Sequence, residues 1–217
     1  MNAVPRQPPR AKAIGMTLIL VGVVAYGLWV VWTSTRINRP VDIPIQMAVG
    51  HVNSPSFKVN RNARFHIQIE VQKKIPFDTL NCLLGLAMKP TSTDLQECPD
   101  KPSVVKASWV LTSDGQKVAY GSSDDLRSGA WKNNSIAREL GSFQAESGRS
   151  YTLGLDVLSD GSELGPGAPH LTIEVSSAVY EDEMVGGTLV MLVSMLLVLV
   201  GGITLLVSFV RNRRGRV

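Results

Sequence analysis

The sequence predicts an all-β extracytoplasmic domain, a sandwich of the jelly-roll kind, flanked by two transmembrane α-helices. Three patterns carry that expectation: an uncharged apolar run near each end of the 217 residues, period-two alternation through most of the stretch between them, and turn residues where the alternation breaks.

The first run, residues 14–32, reads IGMTLILVGVVAYGLWVVW without a charge. At a helical rise of about 1.5 Å per residue it matches the hydrocarbon core of a bilayer, about 30 Å thick. A cleaved secretory signal is shorter and ends in small residues; here Trp29 to Trp32 run into Thr33, Ser34, Thr35 and Arg36 with no Ala-x-Ala site, so the run reads as a retained anchor. Tyr26, Trp29 and Trp32 gather at its far end, where amphipathic rings favour the headgroup layer. The second run, residues 184–210, is longer than a straight crossing needs and fits with tilt.

Charge sets the expected topology. The tail 1–13 carries Arg6, Arg10 and Lys12, the tail 211–217 carries Arg211, Arg213, Arg214 and Arg216, and neither has an acid. Cytoplasmic flanks are rich in Lys and Arg, so both tails are expected in the cytoplasm and residues 33–183 outside it, as in a bacterial inner membrane with the domain in the periplasm. Arg36 and Arg39 oppose this weakly. Removing the tails leaves 15 Lys and Arg against all 18 Asp and Glu, a net −3 that gives no footprint for nucleic acid.

Small residues recur every seven positions in the second run, at Gly187, Ser194, Gly201 and Ser208, and the first run has Gly15 and Gly22 at the same spacing. Such stripes let helices approach closely in lipid, within one chain or between chains. Glycine is also simply common in transmembrane helices.

Between the runs, Phe65, Ile67, Ile69 and Val71 alternate with His66, Gln68, Glu70 and Gln72, the mark of a strand with one dry and one wet face. Tyr151 to Leu158 and Leu171 to Val175 alternate likewise, as does Val41 to Val49, which Pro44 confines to an edge. Further strands are expected at Leu80 to Met88, Val104 to Leu111, Lys117 to Tyr120 and Ile136 to Ala145. Asp114-Gly115 marks a hairpin, and Glu146 to Arg149 another short connection. Ser122 to Asn134 reads as a long loop or a short helix with flanking turns, and Ser159 to Pro169 as a loop. No repeat is present.

The candidate chemistry is sparse. Cys82 and Cys98 are the two cysteines, and in an oxidising compartment they are expected to form a disulfide; the alternative is a pair of buried thiols. His51, His66 and His170 are scattered without metal-ligand spacing, so no cofactor or metal is expected. Asp156, Asp160 and Glu163 share a region but match no calcium loop. The sequence has no Gly-x-Ser-x-Gly elbow, His-Glu-x-x-His helix, phosphate loop or dinucleotide fingerprint. Trp109 belongs in the core. Trp131 lies among Asn133, Asn134 and other polar residues, where a ring beside amides can stack on a sugar or anchor a partner, or else fold back as a lid. Asn133-Asn134-Ser135 is a glycosylation triplet only in a glycosylating host.

These features favour a non-enzymatic binding or accessory protein that meets an extracytoplasmic protein or glycan while anchored in the lipid bilayer. The competing readings are an envelope hydrolase using loop carboxylates and a small subunit of a larger membrane complex, to which the small-residue faces would contribute.

Overall fold

The computed structural model describes residues 10–86, 103–125 and 128–214. The chain divides into two compact units, one built from its two ends and one from residues 37–177.

The central unit contains two antiparallel sheets. The first has the order β1-β10-β4-β8-β7, with β1 at Val41–Pro44, β10 at His170–Val175, β4 at Ala63–Gln72, β8 at Ser135–Ala145 and β7 at Gly129–Trp131. The second has the order β2-β9-β5-β6, with β2 at Gly50–Asn53, β9 at Ser150–Val157, β5 at Ala107–Ser113 and β6 at Gln116–Ser122; the two-residue β3, Phe57–Lys58, also pairs with β9. Neither sheet closes into a barrel.

Alternation decides what faces what. Phe65, Ile67, Ile69 and Val71 of β4 are fully buried, whereas the residues between them are half-buried or exposed. From the other sheet, Leu111, Leu153 and Leu155 are equally buried. Side chains of the two sheets touch: Phe143 of β8 lies 5.6 Å from Tyr151 of β9, ring centre to ring centre, and Phe65 and Phe57 extend the cluster on either side. Between Ile67 and Gln68 the β4–β8 register slips by one, leaving Leu140 without a cross-strand partner. Such a bulge frees backbone groups, and the Leu140 carbonyl accepts the indole N–H of Trp109 at 2.9 Å.

The Asp114-Gly115 hairpin forms between β5 and β6, with both residues at positive φ, 52° and 76°. A two-residue turn of that hand matches the strand twist, which is why this dipeptide is found there. Pro44 ends β1, which is an edge strand as expected.

Four expectations need correction. Residues 80–88 do not begin with a strand: Phe77–Leu84 form helix α2, burying Leu80, Leu83 and Leu84 at helical spacing. Gly85 ends it in the left-handed conformation at φ 69°, and its N–H returns to Cys82. Val41 to Val49 is not one strand, because the chain leaves the first sheet at Pro44 and joins the second at Gly50. The two expected loops are not wholly irregular either; β7 lies in the first, and Ser162–Gly167 form a 3-10 turn in the second.

The second unit pairs helix α1, Arg10–Ser34, with helix α3, Ser177–Arg214, both long and apolar enough to cross a membrane. Each extends past the apolar run seen in the sequence, α3 taking in Glu181, Asp182 and Glu183 at its start. A Cβ placed on Gly201 would lie 2.6 Å from the Gly15 carbonyl, and one on Gly22 would lie 2.8 Å from that of Ser194. Further along, one on Gly187 would lie 2.9 Å from the Trp29 indole nitrogen. Positions rise on one helix as they fall on the other, so the pair is antiparallel and meets every seven residues.

Candidate functional site

Within the central unit, β1 begins and β10 ends at the same end of the first sheet, since Val41 pairs with Ile173. Helix α2 and the β7–β8 turn lie at the opposite end, because α2 follows β4 and Gln72 at the end of β4 pairs with Ser135 at the start of β8. There Trp131 exposes 42% of its surface and Phe77 51%. The Trp131 indole N–H donates to the Asn81 side chain at 3.2 Å, and Phe77, four residues before Asn81, shares its helix face. Two partly wet aromatic rings therefore stand at this tip, Trp131 bonded to the Asn81 amide and Phe77 one helical turn before it.

This tip is held from beneath. Buried Arg138 donates from one guanidinium nitrogen to the Leu84 carbonyl at the end of α2 and from the other to the Ser123 carbonyl at 2.7 Å. Lys73 ties the β7–β8 turn, its amine donating to the carbonyls of Lys132 and Asn133 and its backbone N–H to that of Asn134. The Asn133 and Asn134 side chains remain exposed. Ser135, third residue of the glycosylation triplet, is buried and donates its hydroxyl to Glu70 at 2.6 Å.

The outer face of the first sheet is an ionic network whose partners are brought together by strand register. Glu70 receives Lys132 at 3.0 Å and Arg39 at 2.9 Å, and Lys132 continues to Glu174 at 2.5 Å. Burial pushes the Glu70 carboxyl up, but the hydrogen bonds from Ser135 and Lys132 and the positive charges of Lys132 and Arg39 outweigh it, leaving its pKa below the ordinary value. Glu139 follows the same logic. Burial raises it, hydrogen bonds from His66 and Ser128 lower it more, and the net shift is downward. His170 and Arg39 share Asp42 at 2.7 and 3.2 Å. The Thr172 hydroxyl and the Gln68 side-chain amide oxygen are buried without a hydrogen-bond partner among the described residues.

The outer face of the second sheet is more open. His51 bonds Asp156 at 2.6 Å through Nδ1 and Asn53 at 3.0 Å through Nε2, and the Asp156 hydrogen bond raises its pKa first, that of Asn53 next. Register places Asn53, Gly154, Val110 and Tyr120 in one row across four strands. Tyr120 is 72% exposed, with the Lys117 ammonium 3.8 Å from its ring centre.

Of the other residues singled out, Cys82 is half-buried on α2 and Cys98 lies outside the described residues; no free cysteine is found among those described. Ser194 and Ser208 are buried in the helix unit. Asp156 is engaged by His51, and Asp160 accepts the Ser162 N–H at 2.9 Å in the turn after β9. No group of three or more His, Cys, Asp or Glu is placed to hold a metal ion among the described residues. The ionic faces were legible only as wet positions of alternating strands, because cross-strand partners come from register.

No protein family matches the chain, and no curated protein does. Among solved structures, a protein of Sulfurospirillum deleyianum is similar at 16% identity and a TM-score of 0.44, over 63% of this chain and 97% of that one.

Proposed function

We propose that this chain is a membrane-tethered, non-enzymatic binding protein that holds a jelly-roll β-sandwich on the extracytoplasmic side of a bacterial inner membrane, with both termini in the cytoplasm. The strand orders support the jelly roll: β1-β10-β4-β8 and β2-β9-β5-β6 are the arrangement reached when four antiparallel pairs are wound between two sheets. The basic tails support the topology. So does the pairing of Trp29 with Trp32, whose ring lies 4.0 Å from the Arg36 guanidinium, an interfacial grouping at the outer end of α1. A Cys82–Cys98 disulfide suits an oxidising periplasm and would tie α2 to the segment that follows it.

The observation that carries the binding role is the tip, where Trp131 and Phe77 stand exposed around Asn81. Large rings fixed by a hydrogen bond lose little entropy on binding and are the residues that anchor protein partners. No particular observation favours the hydrolase. The test is crosslinking in native membranes followed by purification of wild type, Trp131→Ala, Phe77→Ala and Tyr120→Ala. An extracytoplasmic protein retained by wild type and Tyr120→Ala but lost from both tip variants supports the reading. Retention of the same proteins by all four contradicts it.

A further inference from the structure

Alternation places every second residue of β2, β9, β5 and β6 on the outer face of the second sheet, and the register aligns them in rows. The row from Asn53 to Tyr120 crosses three strand spacings, about 14 Å. It is high at both ends and low in the middle. Tyr120 stands at one end; at the other, Asn53 and His51 lean inward, so that a Cβ on Gly154 would lie 3.3 Å from Asn53 Oδ1 and from His51 Cε1. Between them the floor is only Gly154 and Val110. The half-buried hydroxyls of Ser108 and Thr152 flank this floor and make no hydrogen bond within the protein among the described residues.

We propose that this trough binds a neutral saccharide chain laid across the strands, one ring stacked on Tyr120 and its hydroxyls bonded by Asn53, Ser108 and Thr152. The proposal rests on reading the domain as a binding module and names a ligand class for a face distinct from the Trp131 tip. The chemistry selects the occupant. A sugar ring offers an apolar C–H face to an aromatic ring and hydroxyl edges to amides and alcohols, and the trough supplies both. A protein partner would want apolar anchor pockets, which Val110 alone does not make. A nucleic acid or acidic glycan would want a cluster of cations, whereas the face carries Lys117 with Asp156 beside His51.

The full-length protein in nanodiscs is titrated calorimetrically with maltotetraose, cellotetraose and chitotetraose. At least one binds wild type; Tyr120→Ala weakens it about three- to tenfold and Tyr120→Phe retains it. Gly154→Val fills the floor and abolishes binding. Wild-type unfolding midpoints for the two Tyr120 variants keep the comparison valid should Gly154→Val fold poorly. Failure of all three saccharides, or binding indifferent to Tyr120→Ala, overturns the proposal. A protein partner lost from the tip variants alongside such a failure removes this inference alone; saccharide binding without that partner removes only the tip.

Discussion

The indole N–H of Trp109, on the second sheet, donates to the carbonyl of Leu140, on the first, at 2.9 Å. Two glycines make room for the ring: a Cβ on Gly121 would lie 2.8 Å from Trp109 Cζ2, and one on Gly141 would lie 2.8 Å from Cε2. The bulge at Leu140, the missing side chains and the tryptophan act as one fastening. Trp109→Phe leaves a buried carbonyl unpaired and a smaller ring in the slot, so a loss of about 2–4 kcal/mol is expected. Gly141→Ala overpacks the same slot at about 1–3 kcal/mol. Because both act on one contact, the double variant loses less than the two losses together, as denaturant unfolding of the full chain will read.

Arg138 links α2 to the sheets through carbonyls that have to accept hydrogen bonds from a forked donor. Arg138→Met leaves those carbonyls without it, and a loss of about 3 kcal/mol is expected from two charge-assisted bonds. Arg138→Lys does not restore it, since a single ammonium cannot reach in two directions from that stem. Hydrogen exchange checks the mechanism: α2 amides lose protection in both variants before those of β4 and β9.

The ionic face of the first sheet predicts acid sensitivity. Glu70 has a folded pKa below that of the unfolded chain, so its stabilising effect is complete above about pH 4.5 and is lost as pH falls through the folded value. Glu139 adds to the same slope. His51 acts in the opposite sense: its raised pKa makes its smaller, solvent-screened contribution complete below pH 6.5 and lost as pH rises through the folded value. Thermal unfolding from pH 3 to pH 9 therefore shows a steeper acid loss in wild type than in Glu70→Gln, while His51→Gln leaves the acid slope as it is and removes its share of the decline above pH 6.5.

The sequence revealed those parts of the fold whose signals are local. The wet and dry faces of β4, the Asp114-Gly115 turn and the edge position of β1 follow from residue type and spacing alone. Helix α2 had its own local signs, Leu80, Leu83 and Leu84 at helical spacing between Pro76 and Gly85, but eight residues within β-rich surroundings read as easily as a strand. What could not be read is set by register. Lys132 meets Glu174 across 42 positions, and Asn53 shares a row with Tyr120 only because β9 and β5 lie between them. Trp131 was visible as an unusual residue, whereas its partner Asn81 depended on where α2 packs.

In the helix unit, a bulky residue at Gly201 would strike the Gly15 carbonyl and Ile19, whereas Leu199 is 53% exposed. Gly201→Leu is expected to part α1 from α3 by forfeiting dispersion contacts along the seam, and Leu199→Phe to be tolerated. Cysteines introduced in pairs on the two helices beside the seam, at positions other than its glycines, report the difference: crosslinking drops severalfold in Gly201→Leu and stays at the parental level in Leu199→Phe. Equal yields would make the seam incidental.

Protease protection reads whether two spans hold the binding domain outside the membrane with both ends inside. An epitope is fused after Val217, and protease is added to the outer face of spheroplasts. Loss of the domain spanning residues 37–177, with the epitope preserved on a small membrane-embedded fragment until the bilayer is dissolved, is the predicted result. Removal of the epitope from intact spheroplasts, with the β-rich domain protected, would contradict the account.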